Sequence, residues 1–172
     1  MLTENNSMTG SLSTVVCCER DAKSVLLPIY QDRHVGDLMH EYGHALCHTI
    51  FCARYGFQIP QWFNEGTADN VASPHYQKLF ADHERWLKAT AVSTAPPTYR
   101  QMCDSLYKDP NMRYAIASLM VRELVHQKGQ QIIKQVRLET RDGGKFAPAF
   151  RHCAGVEPEQ LFRSIVGQFW NL

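Results

Sequence analysis

Several features that would place a protein in a function class at once are missing from this chain. Nowhere in its 172 residues does an apolar run approach about 18 positions, so no transmembrane helix is expected. Charge of one sign is equally scarce. Lys and Arg number 18 against 17 Asp and Glu, a formal net charge of +1, with no basic stripe or acidic block. A nucleic-acid partner and an anionic membrane surface are therefore not expected. The first thirteen residues contain neither a basic stretch nor an apolar core, and they do not read as a signal peptide. No internal repeat, low-complexity tract or Cys-x-x-Cys pair occurs, and the missing pair argues against a separate structural zinc site.

What is present is an ordinary globular composition, 44% hydrophobic and 20% charged, in a chain long enough to bury one core. A single domain over residues 1–172 is expected. Its six cysteines do not form a disulfide framework in this reading. Cys17 and Cys18 are adjacent and would point to opposite faces of a strand, while Cys47 and Cys52 fall in an apolar helical stretch. With no signal segment, a reducing, cytoplasmic setting is favoured.

The pattern along the chain predicts a small β portion over about residues 10–30. Strands at 12–18 and 24–29 flank the polar turn Glu19-Arg20-Asp21-Ala22-Lys23. Three- and four-residue apolar spacing then predicts a helix over about 35–55, and a second one over 62–72 is stopped by Pro74. A helical body over 75–172 follows, with helices expected at 75–92, 98–107, 111–128, 130–141, 145–153 and 157–170. The fold class expected is α+β.

Within the first helix lies His40-Glu41-Tyr42-Gly43-His44, the pattern H-E-x-x-H. Residues four apart on a helix differ by about 40° around the axis and about 6 Å along it, so both imidazoles leave one face. They can reach one metal ion, and Glu41 projects beside it, placed to take a proton from bound water. Shuffling this composition yields such a pentapeptide in about one chain in fifty, so the motif alone is only suggestive.

A catalytic metal site needs a third protein ligand and an open position. His48 lies about 12 Å along the helix from His40 and cannot share an ion with it. A histidine six residues after His44 would make a metzincin pattern, but Ile50 stands there. Glu65 is the better candidate, because twenty intervening residues let the first helix end and a second one return a carboxylate.

The segment Trp62-Phe63-Asn64-Glu65-Gly66-Thr67-Ala68-Asp69 resembles the glutamate helix of the gluzincin metallopeptidases, a superfamily that includes thermolysin-like enzymes and zinc aminopeptidases. The resemblance spans about residues 35–170 and is sharp at 40–44 and 61–69. It implies a zincin-like fold, a Zn²⁺ cofactor held by His40, His44 and Glu65, and supporting roles for Asp69 and Asn64. Asp69 would hold a ligand histidine by its second ring nitrogen, which fixes the tautomer. Tyr114, opening a later helix, would donate to the oxyanion of the reaction, with Tyr99 and Tyr107 as weaker contenders. The aminopeptidase stretch whose glutamate anchors a free amine has no counterpart here. The stretch Gly10-Ser11-Leu12-Ser13-Thr14 lacks an acid, so recognition of a free N-terminus is not implied.

The function expected is a zinc-dependent peptidase acting on a peptide or protein substrate, with Glu41 as general base and acid. A strand at 12–18 is a further, weaker expectation as a pairing edge for an extended substrate. The alternatives are a non-haem iron enzyme, whose two His and one carboxylate need no adjacent glutamate, and a catalytically silent metal-binding or interaction domain. His34, His75, His83, His126 and His152 read as surface or cap residues. Met102, Met112 and Met120 read as core, and Trp62 as packing beneath the glutamate helix.

Overall fold

The computed structural model describes residues 39–44, 59–74, 78–104 and 108–170. Residues 39–44 are helical and are called α1. The remaining elements are α2 (Gln61–Ala72), α3 (Leu79–Ala91), α4 (Tyr99–Cys103), α5 (Pro110–Lys128), α6 (Gln131–Gly143), α7 (Phe146–Ala154) and α8 (Pro158–Trp170).

The α+β expectation is corrected by this architecture. The described residues form an all-helical fold with no strand among them. The two strands expected at 12–18 and 24–29 lie outside the described residues. The core is built helix on helix, so no sheet face is needed to cover it.

α5 is the centre of that core. Asp109 caps it by accepting from the Met112 backbone N–H at 3.0 Å, Pro110 occupies its first turn, and it stops at Gly129. Such a start follows from chemistry, since a carboxylate satisfies an orphan N–H and proline has none to lose. Met112, Arg113 and the run from Ala115 to Val121 are buried, which covers every face of the helix. A helix buried all round must have neighbours on all sides, and α2, α3, α6 and α8 pack against it.

Two glycines set how closely the site helices approach. A Cβ on Gly66 would lie 2.3 Å from the Ala117 carbonyl oxygen, so α2 lies directly on the α5 backbone. A Cβ on Gly43 would lie 2.8 Å from Ala68 Cα, so α1 rests on α2 in the same way. Only a residue without a side chain permits either contact.

Beneath α2, Trp62, Phe63, Phe146 and Phe150 form an aromatic cluster with ring centroids 5.2–6.3 Å apart. The indole N–H of Trp62 donates to the Tyr99 hydroxyl at 3.3 Å, so the buried ring keeps its polar group satisfied. The packing expected of Trp62 is thus observed, and Met102, Met112 and Met120 are all buried as expected.

The C-terminal helices agree with their expected spans to within about two residues. α4 is one exception, because Asp104 turns extended and ends the helix at Cys103. α3 begins at Leu79 rather than near residue 75. Of the expected helix over 35–55, residues 39–44 are described and helical.

Candidate metal centre

His40 and His44 leave the same face of α1, with ring centroids 4.8 Å apart and planes nearly perpendicular. α2 crosses under them and presents Glu65, which is only 4% exposed. The nearest donor atoms form a small triangle. Nε2 of His40 and Nε2 of His44 are 3.1 Å apart, and Glu65 Oε2 lies 3.4 Å from the first and 3.2 Å from the second.

These separations test whether an ion fits. Donors about 2.0–2.1 Å from a tetrahedrally held ion must stand about 3.3–3.4 Å from one another. The triangle agrees with that edge length to within about 0.3 Å.

Asp69 lies one turn beyond Glu65 on α2. Its Oδ1 accepts from His40 Nδ1 at 2.6 Å. An ion that displaced the second imidazole proton would leave Nδ1 protonated on Asp69 and turn the Nε2 lone pair toward His44 and Glu65, the tautomer a metal ligand needs. Gln61, one turn before Glu65, donates its side-chain amide to Glu65 Oε1. The two carboxylate oxygens thus have separate partners, one toward α1 and one along α2.

Burial alone would lower the His40 pKa. The Asp69 and Glu65 carboxylates outweigh it and raise the group from its ordinary 6.5 to about 10. Burial opposes ionisation of Glu65 too, but the two imidazoles hold it down, from 4.5 to about 2. The cluster is a buried negative pocket that favours positive charge at the imidazole edge.

Glu41 is half-buried on α1, beside His40 in the chain. Tyr114 enters from α5, its ring centroid 6.2 Å from that of His40. Burial pushes the Tyr114 phenol up, and the Glu65 and Glu41 carboxylates push it further. It therefore sits in the field of the same group. Tyr99 instead packs on Phe162 and accepts from Trp62. Tyr107, His48 and Ile50 lie outside the described residues.

Asn64 is not brought to the ligand triangle. Its side-chain oxygen accepts from Arg137 Nη2 at 3.0 Å, tying α2 to α6. Gln61 is the residue that sequence reasoning missed. Its spacing four before Glu65 on one helix was the available signal.

One of the five histidines expected at the surface behaves otherwise. The Nδ1 of His83 is buried on α3, and burial lowers its pKa. His152 is exposed but contacts Glu139, its Nδ1 lying 2.7 Å from Oε1. His126 is exposed in the last turn of α5 as expected, and His34 and His75 lie outside the described residues.

Two groups among the described residues could hold a metal ion: His40 with His44 and Glu65, and Glu139 with His152 and Cys153. No described helix is long and apolar enough to cross a membrane. Comparison of the chain with protein-family models, with curated proteins and with solved structures finds no match.

Proposed function

We propose that this protein is a zinc-dependent peptidase of the gluzincin type, with His40, His44 and Glu65 as metal ligands. The observation that carries the reading is the ligand triangle, with sides of 3.1–3.4 Å, backed by Asp69 on His40. A structural ion would have no use for the acid next to the first ligand, and Glu41 stands there.

A bound zinc ion would supply Lewis acidity, making water easier to deprotonate and a carbonyl easier to attack. The chain's own groups do the rest. Glu41 accepts the proton of the attacking water as the C–O bond forms at the scissile carbonyl. It returns that proton to the amide nitrogen as the C–N bond breaks, so the amine leaves neutral. Tyr114 donates its hydroxyl hydrogen to the oxygen that gains charge in between. Asp69 and Gln61 keep the ligands oriented throughout.

The test compares wild type with Glu41→Gln on a mixed peptide library, with and without chelator, alongside metal analysis of both proteins. The variant is expected to keep one zinc per chain at this centre and to lose about 10²–10⁴-fold in hydrolysis. Full activity in Glu41→Gln would overturn the mechanism. Iron in place of zinc would favour the oxygenase alternative, and a zinc-loaded wild type that cleaves nothing would favour a silent metal-binding domain.

A further inference from the structure

We propose that Glu139, His152 and Cys153 form a second metal site, at the seam between α6 and α7, for a divalent ion of the zinc class. It goes beyond the peptidase reading and does not depend on it.

The three residues come from two helices packed on one another. Glu139 lies on α6 and uses both oxygens. One meets His152 Nδ1 at 2.7 Å, and the other accepts from the Cys153 thiol at 3.2 Å. All three donor atoms lie within 4.8 Å of one another. They line a cleft of about 600 Å³ together with Gln135, Leu138 and Asp142. Asp142 stands one turn beyond Glu139, within the same cleft, and is paired with Arg141 at 2.8 Å.

The donor set decides the class of ion. Thiolate and imidazole select zinc-like ions, whereas magnesium and calcium require oxygen. A surface ion pair explains His152 against Glu139 but gives the sulfur no role. A thiol turned onto the same carboxylate completes a mixed S, N, O set with room in the cleft for a fourth donor. The pair His152–Cys153 also lies in the last turn of α7, where helix carbonyls favour a cation.

The probe is cobalt(II), titrated into the whole chain under thiol-free reducing conditions. Among the described residues the His40 centre offers no sulfur, so a near-ultraviolet thiolate-to-cobalt band reports a cysteine-containing site and Cys153→Ser assigns it to the seam. The band is expected to saturate at one ion per chain and to vanish in Cys153→Ser. His152→Gln and Glu139→Gln should each weaken it at least about tenfold, since loss of even an outer-shell partner costs that much. His152 is 78% exposed and Glu139 is partly exposed at 38%, and neither belongs to the buried core, so these variants leave the core untouched. Absence of the band in wild type, its persistence in Cys153→Ser, or its displacement by excess magnesium would each overturn the site. Failure here with hydrolysis intact removes only the second site. A cobalt band in a protein that cleaves nothing removes only the peptidase reading.

Discussion

The two donor clusters of this protein use related side chains in opposite surroundings. At the α1–α2 crossing, Glu65 and Asp69 are 4% and 6% exposed, and each has partners that hold it. At the α6–α7 seam, His152 is exposed and Glu139 partly so, and among the described residues nothing outside the trio orients them apart from the packing of their helices. The first set is preorganised by Asp69, Gln61 and two glycine contacts, so little ordering remains for an ion to impose. The second must be drawn together as it binds. Affinity is then expected to follow rigidity rather than softness of the donors, since the seam set alone contains sulfur.

The largest effect should come from removing a buried ligand. Glu65→Gln is expected to weaken ion binding at the first centre by more than about a hundredfold, beyond the range of outer-shell losses. Calorimetric titration with zinc would measure it, and the cobalt–thiolate band should be unchanged. Loss of that band as well would show that the two clusters are coupled, and the contrast drawn above would fail.

Gly66→Ala comes next. The new methyl meets a backbone carbonyl 2.3 Å away, so α2 must lift from α5. Overpacking of this kind costs about 1–3 kcal/mol, and urea unfolding should register the upper part of that range. The displaced α2 should also bind zinc more weakly, while the seam site keeps its cobalt. An unchanged urea midpoint would mean that the helices tolerate a wider spacing.

Asp69→Asn separates orientation from charge. Zinc affinity should fall by about 10–100-fold with the helical signal intact. Wild-type affinity would reduce Asp69 to a packing residue.

A separate effect concerns pH in protein stripped with chelator. His40 is raised from 6.5 to about 10, so its contribution to stability is complete below pH 6.5 and is lost as pH rises through about 10. Glu65 is lowered from 4.5 to about 2, so its contribution is complete above pH 4.5 and is lost as pH falls through about 2. Thermal midpoints should therefore be highest between pH 4.5 and 6.5. Glu65→Gln should remove the acid arm of that profile, and a profile unaffected by the substitution would contradict the assignment.

The helical body was legible where its elements carry local punctuation, which α3, flanked by Lys78 and Val92, lacks. Asp109-Pro110 opens α5, Gly129 closes it, and Gly155 separates α7 from α8. The ligand set was legible for a similar reason. His40 and His44 share a helix, as do Glu65 and Asp69, so period 3.6 alone places each pair on one face. The β portion rested on β-branched composition at 12–18, a weak signal that says nothing about what else fills the core. The partner of Asn64 was not legible, because neighbours on a helix point about 100° apart and the direction beside Glu65 faces Arg137 on α6.

By itself the sequence determined which residues could act as metal ligands at the first centre, through helical spacing within two short motifs. Tertiary structure decided everything that depends on approach between helices. It brought α1 onto α2 through Gly43 and α2 onto α5 through Gly66, and it set Tyr114 beside His40. It also joined Glu139 to Cys153 across fourteen positions, where no local ligand spacing exists to be read. Periodicity is a property of one helix, whereas a crossing distance belongs to two. The missing Cys-x-x-Cys pair therefore spoke only about local ligand spacing, and the seam between α6 and α7 supplied sulfur by packing instead.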